Sequence, residues 1–217
     1  GERKRLTMPL YREFNLGKTS VAVWKITETA EELLSRLPAE YIPAALLLRD
    51  GQRRTEWLAV RILLERMCGA DARIVYDEAG RPVLSGAVGY ISVSHTDGYA
   101  LLAYSLSNPV GVDMEHVDRN VSAAARRFLN ESCLSAVPAS ERDIYMLASW
   151  CACEALFKLV GNIGGTYKEN VIVKPFLPGT HGTIDVSING ISPTYDCDLE
   201  AMYVNDGELF MLLVEAK

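Results

Sequence analysis

The chain has 217 residues, of which 49% are hydrophobic and 23% charged, with a formal net charge of −6. That is enough for one large domain or two of about 100 residues, with a sizeable core. The acidic balance argues against a general nucleic-acid binder, which carries a basic stripe, and no apolar run approaches the ~20 residues of a membrane span. Neither nucleic acid nor membrane is therefore an expected partner. Basic residues still gather locally, in "RDGQRR" (49 to 54) and "ARR" (125 to 127), so an anionic ligand can be met on an acidic protein. Cysteines at 68, 133, 151, 153 and 197 form an odd, scattered set; reduced thiols and a cytoplasmic location are the expectation. The opening "GERKRLTMPLYREF" has basic residues with no apolar block behind them, unlike a secretory signal.

In chain order, "DGQRRTEWLAVRILLERMCG" predicts a long amphipathic helix, with Asp50 as its cap, Trp57, Leu58, Leu64 and Met67 as apolar anchors, and Gly69 at its exit. A strand "ARIVY", a turn "DEAGRP" and a strand "YISVSH" follow. The tight "TDG" turn joins the last to "YALLAYSL" as a hairpin. After "SNP" comes a strand, "VGVDMEH". Ser140 with Asp143 three residues on looks like a capping box, opening the helix "ERDIYMLASWCACEALFKLVG" that Gly161 ends. "NVIVKPF", "TIDVSI", "LEAMYV" and "LFMLLVEA" read as strands. Each half thus runs helix, glycine, strand, hairpin, with Trp57 and Trp150 at matching places. The fold class expected is α+β: two similar halves, 1-108 and 109-217, forming a pseudo-dimer within one chain, with a ligand crevice between them. Two halves in one chain also make a monomer the expectation.

Within "GVDMEHVD", strand alternation points Asp113 and Glu115 one way and Val112 and Met114 the other. A solvated strand edge explains such a pair, and so does a cation site. On the second helix, Trp150, Glu154 and Lys158 are spaced i, i+4, i+8 and share a stripe. A surface Glu–Lys pair is the ordinary account of that spacing, but a tryptophan on the same stripe points to a cleft. Glu154 would then be a third carboxylate. Oxygen-only ligands favour a hard ion such as Mg²⁺, which usually also binds phosphate. Alternation sends His116 away from the pair.

"VGVDMEHV" and "SWCACEALFKLVG" resemble the two signature motifs of the 4′-phosphopantetheinyl transferases, an apolar-Gly-apolar-Asp-x-Glu strand and a Trp-x-x-Lys-Glu-Ala-x-x-Lys helix, about forty residues apart. "GRPVL…YISVSHTDGYALLAYS" is similar to that family's Gly-Lys-Pro and Ser-His segments, in the same order. The length resembles the large single-chain type that activates surfactin synthetase. The resemblance implies transfer of 4′-phosphopantetheine from coenzyme A to a serine of an acyl or peptidyl carrier protein, releasing 3′,5′-ADP. It implies Mg²⁺, or Mn²⁺, on Asp113, Glu115 and Glu154. Glu154 is also implied as a candidate base, directly or through water, and Lys158 as a pyrophosphate contact. Ser94 and His95 match residues on the coenzyme A phosphates, Arg81 replaces the Gly-Lys-Pro lysine, and Arg54 matches a basic residue near the 3′-phosphate.

Cys153 stands where the helix motif has lysine, which removes a positive charge expected over the phosphates. Two other readings follow: a non-catalytic binder of coenzyme A or carrier protein, and an unrelated Mg²⁺ phosphohydrolase. "NVSAAARRFLNESCL", with Arg126, Arg127 and Phe128, is the expected docking patch for an acidic carrier protein.

Overall fold

The computed structural model describes residues 10–49, 51–125, 127–161, 166–188 and 199–217. It opens with a hairpin, β1 (Leu10–Leu16) and β2 (Thr19–Lys25), which the sequence reading did not anticipate. Helices α1 (Ala30–Leu34) and α2 (Ile42–Leu47) lead to the long α3 (Gln52–Cys68). A small ribbon, β3 (Arg73–Tyr76) and β4 (Pro82–Ser85), precedes β5 (Tyr90–Thr96) and β6 (Tyr99–Ser105). The second part begins with β7 (Val110–His116) and the short α4 (Ser122–Ala125) and α5 (Glu131–Ser135), then the long α6 (Arg142–Val160). It ends with α7 (Tyr167–Asn170), β8 (Val171–Val173), β9 (His181–Ile184), β10 (Val186–Ile188), β11 (Leu199–Asn205) and β12 (Leu209–Ala216).

Two four-stranded antiparallel sheets carry the structure, in the orders β1-β2-β6-β5 and β7-β12-β11-β9. Alternation assigns each face. In the first sheet, Val21, Val23, Leu101 and Ala103 face Val112, Met114, Met211 and Leu213 of the second. The opposite face, with Ala22, Trp24, Ala100 and Leu102, is covered by Leu58, Leu63 and Leu64 of α3. On the outer side of the second sheet, Phe210, Leu212 and Val214 meet Ala148, Ala152 and Leu156 of α6. The layering is helix, sheet, sheet, helix, and each fully buried leucine of α3 stabilises it by about 1.5–3 kcal/mol.

Local corrections concern caps and strand ends. The capping box expected from Ser140 and Asp143 is absent. Pro138 starts a 3₁₀ turn, Ala139–Glu141, that runs straight into α6, so Glu141 stands at the N-cap and makes no side-chain capping bond. Ser140 instead bonds the Glu141 carboxylate at 3.4 Å. "TIDVSI" is two strands broken at Asp185: β9 continues the second sheet and β10 pairs with β8. The Asp50 cap lies outside the described residues.

A glycine sets how closely β7 approaches α6. A Cβ on Gly111 would fall 1.9 Å from the Ala155 carbonyl oxygen, so any other residue would push the strand off the helix. That contact carries Asp113 and Glu115 to α6.

Candidate active site

Asp113 and Glu115 are each 5% exposed, on the β7 face away from Val112 and Met114. They lie at a seam where β5 runs beside β7 and side chains bridge the two strands. Ser92 Oγ accepts from the Val112 amide at 3.0 Å, and Ser94 Oγ accepts from the Met114 amide at 3.1 Å. The Ser94 hydroxyl in turn donates to Asp113 Oδ1 at 3.0 Å, and Thr96 Oγ1 to Glu115 Oε2 at 3.2 Å. Buried polar groups need such partners.

The α6 stripe faces the same pair. Trp150 Nε1 donates to Glu115 Oε1 at 3.3 Å, while Lys158 Nζ donates to Asp113 Oδ1 at 2.8 Å and to the Val112 carbonyl at 2.9 Å. Glu154 lies between them along the helix. Its carboxyl pKa is raised, by burial first and then by the Asp113 carboxylate, with Lys158 pulling the other way and Glu115 adding to the rise. Three carboxylates therefore share one electrostatic neighbourhood.

Arg119 was not anticipated. It is bonded to Glu115 Oε1, its guanidinium lies 5.8 Å from the centre of the Trp150 ring, and the Glu115 bond holds its pKa up. The signal available in the sequence was its place four residues after Glu115. His116 turns away, its Nε2 2.8 Å from the Asp97 carbonyl and its ring against Tyr99.

Among the described residues, no three His, Cys, Asp or Glu side chains stand close enough together to hold a metal ion. The donor chemistry nonetheless fits a hard cation. Asp113 Oδ2 is buried without a hydrogen-bond partner, and the neighbouring donors are carboxylate oxygens. Lys158 and Arg119 supply the positive charge beside Asp113 and Glu115.

Next to this cluster a cavity of about 530 Å³ opens between the layers. α3 contributes Arg53, Glu56, Trp57 and Arg61, the β3–β4 ribbon contributes Tyr76 and Arg81, β5 contributes His95, and α6 contributes Phe157 and Lys158. Lys158 touches both the cavity and Asp113, so it joins the two. Arg61 is buried, lies 3.8 Å over the Trp57 ring and donates to the Tyr76 hydroxyl at 3.2 Å. Among the described residues it pairs with no carboxylate, and burial lowers its pKa. An uncompensated guanidinium in a cavity wall is a receptor for an anion.

Of the residues expected around an anionic ligand, His95, Arg81 and Lys158 line the cavity. Arg81 also bonds Asp77 at 2.9 Å. Ser94 does not line it; the Ser94 hydroxyl is spent on the β5–β7 seam and Asp113. Arg54 does not line it either, and reaches the Leu48 carbonyl at 2.7 Å, while its neighbour Arg53 takes the cavity place. Arg53 and Arg61 were missed although they stand eight positions apart, two turns of the same helix face.

Cys153 is fully buried among the residues packed between α6 and the second sheet, and burial pushes its thiol pKa up to about 12. It does not lie over the cavity, because the stripe carrying Glu154 faces β7 and a residue one position earlier is turned about 100° away. Phe128, part of the expected docking patch, is also buried, edge-on to Trp150 at 5.4 Å. Arg127 is exposed, and Arg126 lies outside the described residues.

No protein-family profile matches the chain. An 85-residue stretch is 38% identical to a protein of Salmonella typhimurium named 4′-phosphopantetheinyl transferase AcpT, covering 38% of this chain and 44% of that protein. A protein of the same name from Salmonella typhi is 36% identical over 85 residues, with the same coverage. The chain thus matches under half the length of these curated relatives. Their names give the transferase class and not the large surfactin-synthetase-activating type.

Proposed function

We propose that the protein transfers 4′-phosphopantetheine from coenzyme A to a serine hydroxyl of a carrier protein. The observation that carries this reading is the junction at Lys158, where a cationic cavity opens onto a buried carboxylate cluster. Phosphoryl transfer depends on positioning and charge neutralisation more than on covalent help from protein. Arg53, Arg61, Arg81 and His95 bind and orient an anionic nucleotide-like ligand. Lys158 reaches the end nearest Asp113, where the pyrophosphate lies in this reading. Asp113, Glu115 and Glu154, drawn closer together than they stand here, would hold Mg²⁺, which would neutralise pyrophosphate charge there. Glu154, on the α6 stripe that faces Asp113 and Glu115, takes the proton of the incoming serine, directly or through water. The short identity to named transferases supports the same class.

We read the two helix-on-sheet layers as copies of one α+β unit, the large single-chain arrangement, acting as a monomer in the cytoplasm. No helix among the described residues is long and apolar enough to cross a membrane.

The test is incubation of the protein with coenzyme A, Mg²⁺ and a panel of fatty-acid, polyketide and peptide-synthetase carrier proteins. A carrier-protein mass increase of one phosphopantetheine group is the expected result. Coenzyme A binding without a mass change would favour a non-catalytic binder, and phosphate release from simple esters without carrier would favour a phosphohydrolase.

A further inference from the structure

Glu56 is the one carboxylate of α3 in the cavity wall, and it is only 6% exposed. Both its oxygens are engaged. Gln52 Nε2 donates to Oε1 at 2.8 Å, and Oε2 lies 3.1 Å from His95 Nδ1. Among the described residues no Lys or Arg forms an ion pair with it. Burying a carboxylate with no permanent cation is unfavourable unless strong hydrogen bonds compensate, and the same helix face carries Arg53 and Arg61 to greet an anion. Fold stability alone gives no reason to keep a negative charge there.

His95 gives the reason. Its side chain is 60% exposed at the cavity, with Nδ1 turned back to Glu56 and no protein partner described for Nε2. A carboxylate accepting from Nδ1–H fixes both the tautomer and the plane of the ring. It also supports a positive charge on the ring when an anionic oxygen approaches the other nitrogen. We propose that Glu56 is a positioning residue that holds His95 by its Nδ1–H, so that the ring, on taking a second proton at Nε2, donates that proton to an anionic oxygen of the ligand as an imidazolium. The naming of that ligand as coenzyme A rests on the transferase reading above; the Glu56–His95 arrangement does not.

Two readouts on the full chain test it. Long-range ¹⁵N–¹H correlation of labelled protein, with His95 assigned through His95→Gln, reports the tautomer directly. In the free proteins the wild type and Glu56→Gln should show Nδ1–H, because an amide oxygen still accepts, while Glu56→Ala should move the proton to Nε2; with coenzyme A bound, the wild type should show both nitrogens protonated and Glu56→Ala only Nε2. Calorimetric titration with coenzyme A should show Glu56→Ala binding about tenfold more weakly, because its neutral ring gives the anion a plain hydrogen bond in place of a charge-assisted one, and Glu56→Gln a few-fold more weakly. The near-isosteric glutamine variant supplies the affinity readout if the alanine variant does not fold. An unchanged tautomer in Glu56→Ala, or unchanged affinity in a folded variant whose tautomer has switched, overturns the proposal. Failure of the wild type to bind coenzyme A overturns the transferase reading instead, and the tautomer still decides the Glu56 assignment.

Discussion

Asp113 accepts from two donors through Oδ1 and from none through Oδ2, an asymmetry that a cation would use. Replacing it with alanine leaves Lys158 without its carboxylate and removes the central oxygen donor. We expect carrier labelling to fall roughly a hundredfold or more, the scale of losing a charge-stabilising group, and labelling at the wild-type rate would contradict the assignment. Glu154 makes a separate prediction about pH. Its folded pKa is raised, so the folded state favours the protonated form. The stability this gives is fully present below the ordinary carboxylate range and is lost as pH rises through the folded pKa. Without metal, Glu154→Gln should therefore melt above the wild type at neutral pH and converge with it as pH falls below about 4. Its partly exposed position keeps the effect modest. Melting curves of both proteins from acid to neutral pH check the sign. The alternation of Asp113 and Glu115 was legible from "GVDMEH", because period two needs no tertiary knowledge. Arg53 and Arg61 were not, because which turn of α3 faces the cavity depends on how the helix lies over the first sheet.

At the scale of elements, the contact between β7 and α6 rests on Gly111. Gly111→Ala would bring a methyl against the Ala155 carbonyl, and overpacking of this kind typically costs about 1–3 kcal/mol or more. Denaturant titration should show that loss, together with reduced labelling as Asp113 moves off Lys158. A variant as stable and active as the wild type would show that the two elements can separate freely. Position 153 gives the opposite kind of prediction. Cys153→Lys would put an ammonium into the α6 core rather than over the phosphates, so it should lower the melting temperature and bring no salt-dependent gain in coenzyme A affinity. A folded variant that binds coenzyme A more tightly at low salt would contradict this placement. The motif alone could not give this, since a motif position says nothing about which side of the helix its core takes. Strands were legible for the reason that helix caps were not. Hydrophobic periodicity survives tertiary packing, whereas the start of α6 is set by a 3₁₀ turn that competes with the capping pattern of Ser140.

At the scale of the molecule, the chain completes its first sheet at Ser105 and starts the second at Val110, and the candidate site forms where the edge strands β5 and β7 meet. Both layers contribute: α3 and β5 carry the cavity's Arg53, Arg61 and His95, and β7 and α6 carry the carboxylates. That convergence was only partly readable. Two long helices each ending at a glycine suggested two halves, but the N-terminal hairpin of β1 (Leu10–Leu16) and β2 (Thr19–Lys25) that completes the first sheet was not legible in the same way. The serine bridges of the seam also hide from sequence analysis, since Ser92 and Ser94 look like any strand serines until β7 lies beside them. Mass spectrometry of a panel of apo carrier proteins incubated with the protein, coenzyme A and Mg²⁺ decides the transferase assignment. Addition of one phosphopantetheine group to at least one carrier is expected, and is lost when the carrier serine is replaced by alanine. No addition to any carrier by protein shown to be folded and to bind coenzyme A would contradict that assignment.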